Sequence, residues 1–157
     1  MRRWNVIADL INENGYKFIA EIGVCKGDTA IPLLQHCDID KYYAVDPAFH
    51  QKLLDMDLSI YPELELYHLT SKEAALVINA KLDLVFIDAL HDEEHVDEDI
   101  HLWTPKVRPG GVVCGHDYDN KRFPGVRIAV ERYYGAENVE AYPVKACMVW
   151  IYHVPRE

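Results

Sequence analysis

The sequence predicts a doubly wound α/β domain whose sheet is mostly parallel and ends in an antiparallel hairpin. Three observations carry this. Short apolar runs alternate with segments of helical period as far as Tyr134, the pattern of successive βα units. Leu82-Asp83-Leu84-Val85-Phe86-Ile87-Asp88 is a near-continuous apolar run, as a parallel strand buried on both faces requires. From Val139 onward two strand-like runs follow each other with no helix between them. Five βα units and a hairpin make seven strands in one domain, 1–157, long enough to bury a core.

In chain order, Trp4, Ile7, Ala8 and Ile11 recur at helical spacing until Asn14-Gly15 stops them. The apolar run from Tyr16 to Ile19 opens the first strand. The segment Ala20-Glu21-Ile22-Gly23-Val24-Cys25-Lys26-Gly27-Asp28-Thr29 then turns into a helix carrying Ile31, Leu33, Leu34 and Cys37. Tyr42-Tyr43-Ala44-Val45 is a second strand ending in Asp46-Pro47, and a short helix through Leu53 and Leu54 follows. Leu64 to Leu69 is the third strand. Thr70-Ser71-Lys72-Glu73 is a capping-box pattern that opens a helix through Ala74, Ala75 and Ile78. After the apolar fourth strand, an acid-rich helix from Glu93 to Trp103 places Val96, Ile100 and Trp103 on one face. Pro105 and a Pro109-Gly110-Gly111 turn end it. Val112 to Gly115 is the fifth strand, and Pro124 to Tyr134 a helix stopped by Gly135. Val139–Tyr142 and Val144–Val154 form the hairpin, joined around Pro143, with Met148, Trp150 and Tyr152 on one face.

Half of the 157 residues are hydrophobic, which argues against disorder. The net charge of -10 repels nucleic-acid backbone and anionic membrane, so neither is expected as a partner. No apolar run is long enough to span a bilayer. Asn5, Asp9, Asn12 and Glu13 interrupt any secretory core after Met1-Arg2-Arg3. Cys25, Cys37, Cys114 and Cys147 show no C-x-x-C spacing and read as reduced, buried thiols of a cytoplasmic protein.

The first turn is the most informative segment. Gly23 and Gly27 let backbone approach a ligand, and the following helix adds N–H donors. Glu21 precedes the glycines at the strand's end, a placement hostile to pyrophosphate. It suits a cationic, hydroxyl-rich ligand such as S-adenosylmethionine. G-x-G-x-x-G is missing, which disfavours a nicotinamide-dependent oxidoreductase. Asp46 lies in the next βα unit, about 20 residues on, where an acid meets a ribose hydroxyl pair. Its alternative is a solvated loop carboxylate.

Element order and three motifs resemble the class I S-adenosylmethionine-dependent methyltransferases, a Rossmann-like fold, nearest the caffeoyl-CoA and catechol type and the macrolide-sugar O-methyltransferases. Glu21-Ile-Gly-Val-Cys-Lys-Gly27 looks like their E-I-G-x-x-x-G turn. Asp83-Leu-Val-Phe-Ile-Asp88 resembles their fourth strand, and Pro109-Gly-Gly-Val-Val-Cys-Gly-His-Asp-Tyr118 their fifth strand with the polar residues after it. The resemblance implies cofactor contacts at Glu21, Gly23, Gly27, Asp46 and Asp88, with Ser71 and Lys72 as a wall of the adenine pocket.

Ligands of open α/β sheets sit beyond the carboxyl ends of the strands, which places Asp88, His91, His116 and Asp117 on one edge. Asp88, His116 and Asp117 offer two carboxylates and an imidazole to one cation, Mg2+ or Mn2+ by donor type. Metal-dependent members of the resembled group carry an Asp after the fourth strand and an acidic or Asp-Asn pair after the fifth. Asp88 and Asp117 match, but Tyr118 stands in place of Asn and His116 where some relatives carry an acid. Asp88-Ala-Leu-His91 resembles an Asp-x-x-His motif whose histidine is a general base, giving His91 and Asp88 catalytic roles. His91 read alone is equally a loop or cap residue. His91-Asp-Glu-Glu-His95 differs from the zinc-protease H-E-x-x-H by lacking its glutamate, and the acids from Asp92 to Asp99 read as a solvated helix face. The expected function is methylation of a small hydroxylated molecule, with a non-catalytic adenosylmethionine-binding regulatory domain as the alternative. The acceptor's identity is open, and the apolar hairpin leaves a homodimer open.

Overall fold

A computed structural model describes residues 1–157. Helix α1 spans Arg3–Asn14 and ends on Gly15, whose φ of 65° is the left-handed cap expected after Asn14. Then follow β1 (Phe18–Ile22), α2 (Ala30–His36), β2 (Lys41–Val45), the one-turn α3 (Gln51–Leu54), β3 (Leu64–Tyr67) and α4 (Ser71–Val77). The second half holds β4 (Leu82–Ile87), α5 (Glu93–Trp103), β5 (Val107–Gly115), α6 (Pro124–Tyr134), β6 (Val139–Val144) and β7 (Cys147–His153). The capping box at Thr70 and Glu73 is formed in both directions. None of the helices is long and apolar enough to cross a membrane.

The seven strands lie in the order β3-β2-β1-β4-β5-β7-β6, parallel through β5, with β7 antiparallel to both β5 and β6. Strand alternation sends side chains into two separate cores. Ile19, Leu84 and Phe86 join α1, α2 and Leu53 on one face, while Ala20, Val85 and Ile87 join α4, α5 and α6 on the other. β4 is buried at all six positions, as its unbroken apolar run requires. Trp150, Met148 and Tyr152 share one face of β7, as the sequence spacing predicts.

The structure revises three details. Pro109-Gly110-Gly111 is a bulge inside a longer β5, not a turn that precedes it: Leu82 pairs with Val107, and the register resumes at Leu84 with Val112. A side chain at Gly111 would meet the Asp83 carbonyl oxygen at 2.5 Å, so the bulge needs glycine there. The hairpin turns at Lys145-Ala146, not around Pro143, which pairs with Met148 within β6. β6 is an edge strand, where a missing N–H is tolerated. Only Cys114 is fully buried among the four free cysteines, and Cys25 is exposed in the glycine turn.

The edge of the sheet remote from the site is tied by Asp83. Its carboxylate accepts from the Lys17 and Phe18 backbone N–H groups at 2.7 and 2.8 Å and pairs with Arg108. Asp83→Ala leaves two donors at the start of β1 unpaired. It is expected to lower the unfolding free energy by about 2–4 kcal/mol, read as a shift of the urea midpoint at constant slope.

Candidate active site

The carboxyl ends of β1, β2 and β4 converge on one cleft, with the end of β5 next to that of β4 in the sheet. Gly23 leaves β1 with φ 89°, and a Cβ there would lie 2.3 Å from the Asp88 carbonyl oxygen, so the turn presses backbone to backbone against the end of β4. Gly27 has φ 78°, and its nearest neighbour is the flexible Leu53 side chain. Asp46 holds this turn. One carboxylate oxygen accepts from the Val24 and Cys25 N–H groups at 2.9 and 2.8 Å, and the other from Ala48 at 2.8 Å. Asp46 therefore has a structural task of its own beside any ribose contact.

Glu21 is wholly buried and accepts a 2.6 Å bond from the Tyr42 hydroxyl. Burial pushes its carboxyl up to about 8, against the pull of that hydrogen bond, and the neighbouring Asp88 raises it further. A folded-state value above the unfolded one means that the stability contributed is complete below about 4.5 and is lost as pH rises through about 8. Glu21→Gln is expected to remove this dependence. Stability should then lose a slope of up to ~1.4 kcal/mol per pH unit across that window, measured by urea titration at several pH values.

Two cavities share Pro47, Ala89 and Leu90 and form one cleft along this edge. The inner one, about 230 Å3, is lined by Gly23, Cys25, Asp46 and Asp88. The outer one, about 340 Å3, is lined by Ser71, Lys72, Glu98 and Asp99. Ser71 is fixed by a 2.8 Å bond from the Trp103 indole N–H. Asp99 departs from the solvated acid face read from the sequence. It is buried, and burial raises its carboxyl to about 6 despite a hydrogen bond with Ser71. Its helical phase, three residues after the buried Val96 and four before the buried Trp103, carried the signal that the acidity of the run obscured.

The reacting end is a cluster of four residues from two strand ends. Asp117 lies 3.2 Å from His116 Nδ1 and 3.4 Å from His91 Nδ1, both from one carboxylate oxygen, while the other accepts from Asn120 at 2.8 Å. Burial would raise the Asp117 carboxyl, but His116, Asn120 and His91 together hold it well below the usual carboxylate range. It occupies the left-handed region at φ 59°, as does Cys25 at 51° in the glycine turn. His91 packs on Phe123 with ring centroids 4.5 Å apart. It precedes α5, whereas His95 lies on it and pairs with Asp92, so the two do not share a helix face. Asp88, His116 and Asp117 bring three ligand atoms within 4.8 Å of one another. Arg3, which sequence reading passed over, reaches in from α1. It pairs with Asp88 at 2.8 Å and donates to Thr29 at 2.9 Å. Burial raises the Asp88 carboxyl, with Arg3, His116 and His91 opposing.

Three solved structures with this fold show how widely it is used. The chain is similar to an O-methyltransferase from Bacillus cereus in complex with SAH, at 18% identity and TM-score 0.74, covering 96% of this chain and 80% of that one. It is also similar to the O-methyltransferase TomG from Streptomyces achromogenes in complex with SAM (18%, 0.72, 97% and 79%). A third is an rRNA methylase from Streptococcus thermophilus (16%, 0.75, 99% and 98%). No curated protein matches the chain. Residues 20–118, more than half the chain and the segment from the glycine turn to Asp117, match the family model described as a methyltransferase domain. The chain belongs to that family and is an S-adenosylmethionine-dependent methyltransferase.

Proposed function

We propose that the protein transfers the methyl group to a hydroxyl oxygen of a small molecule, with His91 as general base. The carrying observation is that the cofactor-sized cleft and the His91–Asp117–His116–Asp88 cluster meet at Asp88 on one sheet edge.

The residues present fit the cofactor. The Asp46 and Asp88 carboxyls end β2 and β4 and line the inner cavity, the sign a sulfonium and an ammonium require, and Gly23 and Cys25 bring the glycine turn to its wall. Asp46 and Asp88 flank the ribose and methionine portions in this reading. Leu90, exposed at the junction of the two cavities, offers an apolar platform to the adenine, with Ser71 and Asp99 at its edge. The bound cofactor supplies an electrophilic methyl carbon, so the chain has only to position and deprotonate the nucleophile. His91 Nδ1 faces Asp117, which leaves Nε2 as the nitrogen free to take the hydroxyl proton. Asp117, held ionised, then stabilises the imidazolium.

Two carboxylates and one imidazole within 4.8 Å also fit a divalent cation such as Mg2+ or Mn2+. Asp88, His116 and Asp117 would hold it, and when bound it would lower the pKa of a coordinated hydroxyl. Arg3 competes for one Asp88 oxygen, the other remaining for a metal. Radiolabelled methyl transfer to a panel of phenols and sugars, with and without EDTA, tests the reading. Transfer that falls at least about tenfold with EDTA and returns with Mg2+ or Mn2+ assigns the metal. Activity indifferent to the chelator leaves deprotonation to His91 alone. Cofactor binding with no transfer to any hydroxyl of the panel would overturn O-methylation of such acceptors.

A further inference from the structure

Beside the reacting cluster lies a third cavity, about 280 Å3, lined by Arg2, Arg3, Trp4, Asp28, His116 and Lys145. It is built by the chain's two ends of sequence meeting. The Lys145 backbone N–H donates to the Met1 carbonyl at 2.9 Å, which seats the β6–β7 turn on the start of α1. Arg3 is already committed to Asp88 and Thr29. Asp28 is paired with Lys52. Arg2 and Lys145 make no ion pair with any acid of the chain, in a protein whose net charge is -10. The convergence of Arg2, Arg3 and Lys145 on one cavity beside His116 points to an anionic ligand there. Trp4, half-buried, adds an apolar wall.

We infer that this cavity is the acceptor subsite and that it recognises an oxyanion, a phosphate or carboxylate carried by the acceptor close to the hydroxyl that is methylated. The inference rests on the reading that the acceptor meets the methyl group at Asp88 and His116. His116 belongs both to this cavity and to the reacting cluster, so an acceptor anchored at Arg2 and Lys145 extends directly towards that cluster. Charge-assisted bonds from a guanidinium and an ammonium would orient it. The concave shape and the acidic remainder of the surface favour a small anion over a nucleic-acid backbone, which needs a continuous basic track.

Trp103 and Trp150 are fully buried, so fluorescence changes on adding a small ion report Trp4. Inorganic phosphate and, separately, benzoate are titrated into the protein with and without S-adenosylhomocysteine. Saturable quenching near the millimolar range is expected for at least one, and the tighter of the two names the acceptor's group. The variants R2Q and K145Q should each weaken that binding about tenfold and leave calorimetric affinity for S-adenosylhomocysteine intact. Trp4→Phe should abolish the signal. Absence of saturation by both ions, or saturation unchanged in R2Q and K145Q, would overturn the inference. So would an RNA oligonucleotide that binds more tightly than either ion in a manner dependent on Arg2 and Lys145. Loss of S-adenosylhomocysteine binding in the unaltered protein would instead strike the cofactor reading, since phosphate binding is scored without the cofactor.

Discussion

Gly23→Ala is expected to abolish measurable cofactor binding. The added methyl would stand 2.3 Å from the Asp88 carbonyl oxygen and 2.5 Å from the Ala89 Cα, at a φ of 89° that side chains rarely adopt. Both obstacles are backbone, so relief requires the end of β1 to part from the end of β4, the two strands that frame the inner cavity. An affinity loss of more than about a hundredfold follows, with a fall of several kcal/mol in stability. Gly27→Ala is the internal comparison. Its strain is similar, but its nearest contact is the mobile Leu53 Cδ1 at 2.8 Å, so its loss should be smaller. Calorimetry and thermal melting of the two variants check the order. A Gly23→Ala protein that binds S-adenosylhomocysteine as the unaltered chain does would show that backbone approach at this turn is not what the ligand uses.

His91→Ala is expected to lower turnover by about a hundredfold or more, with cofactor affinity nearly unchanged. The side chain touches Asp117 and Phe123 and lines neither the inner nor the outer cavity, so its removal should leave cofactor contacts in place. Asp117→Asn should also lower turnover, because it removes the charge that stabilises the imidazolium and the acceptor that holds the proton on Nδ1. Single-turnover rates with saturating cofactor check both variants. Full activity in His91→Ala would return the residue to a loop role and shift deprotonation to His116 or a metal.

The fold was legible in the sequence because its periods are clean. β4 is apolar at every position but one, and each long helix presents one buried stripe, such as Val96, Ile100 and Trp103 in α5. What escaped reading depends on contacts between distant segments. Nothing local tells that Pro109-Gly110-Gly111 continues a strand, because the bulge exists only through pairing with Leu82 and Leu84. Pro143 looks like a turn residue and becomes a strand residue because β6 is an edge. In the site, topology alone brought Asp88, His91, His116 and Asp117 together, as strand ends must. Arg3 and Lys145 were not legible. Their roles arise from α1 and the β6–β7 turn closing over the sheet edge, a packing that no motif records.

The central claim is that the cleft from Gly23 to Asp99 holds the adenosyl cofactor. Isothermal titration of the unaltered protein with S-adenosylhomocysteine, with NAD as the competitor ligand, tests it most directly. One site per chain with micromolar affinity, on the order of -8 kcal/mol, is the predicted result, with no heat from NAD. Saturable binding of NAD and none of S-adenosylhomocysteine would contradict it.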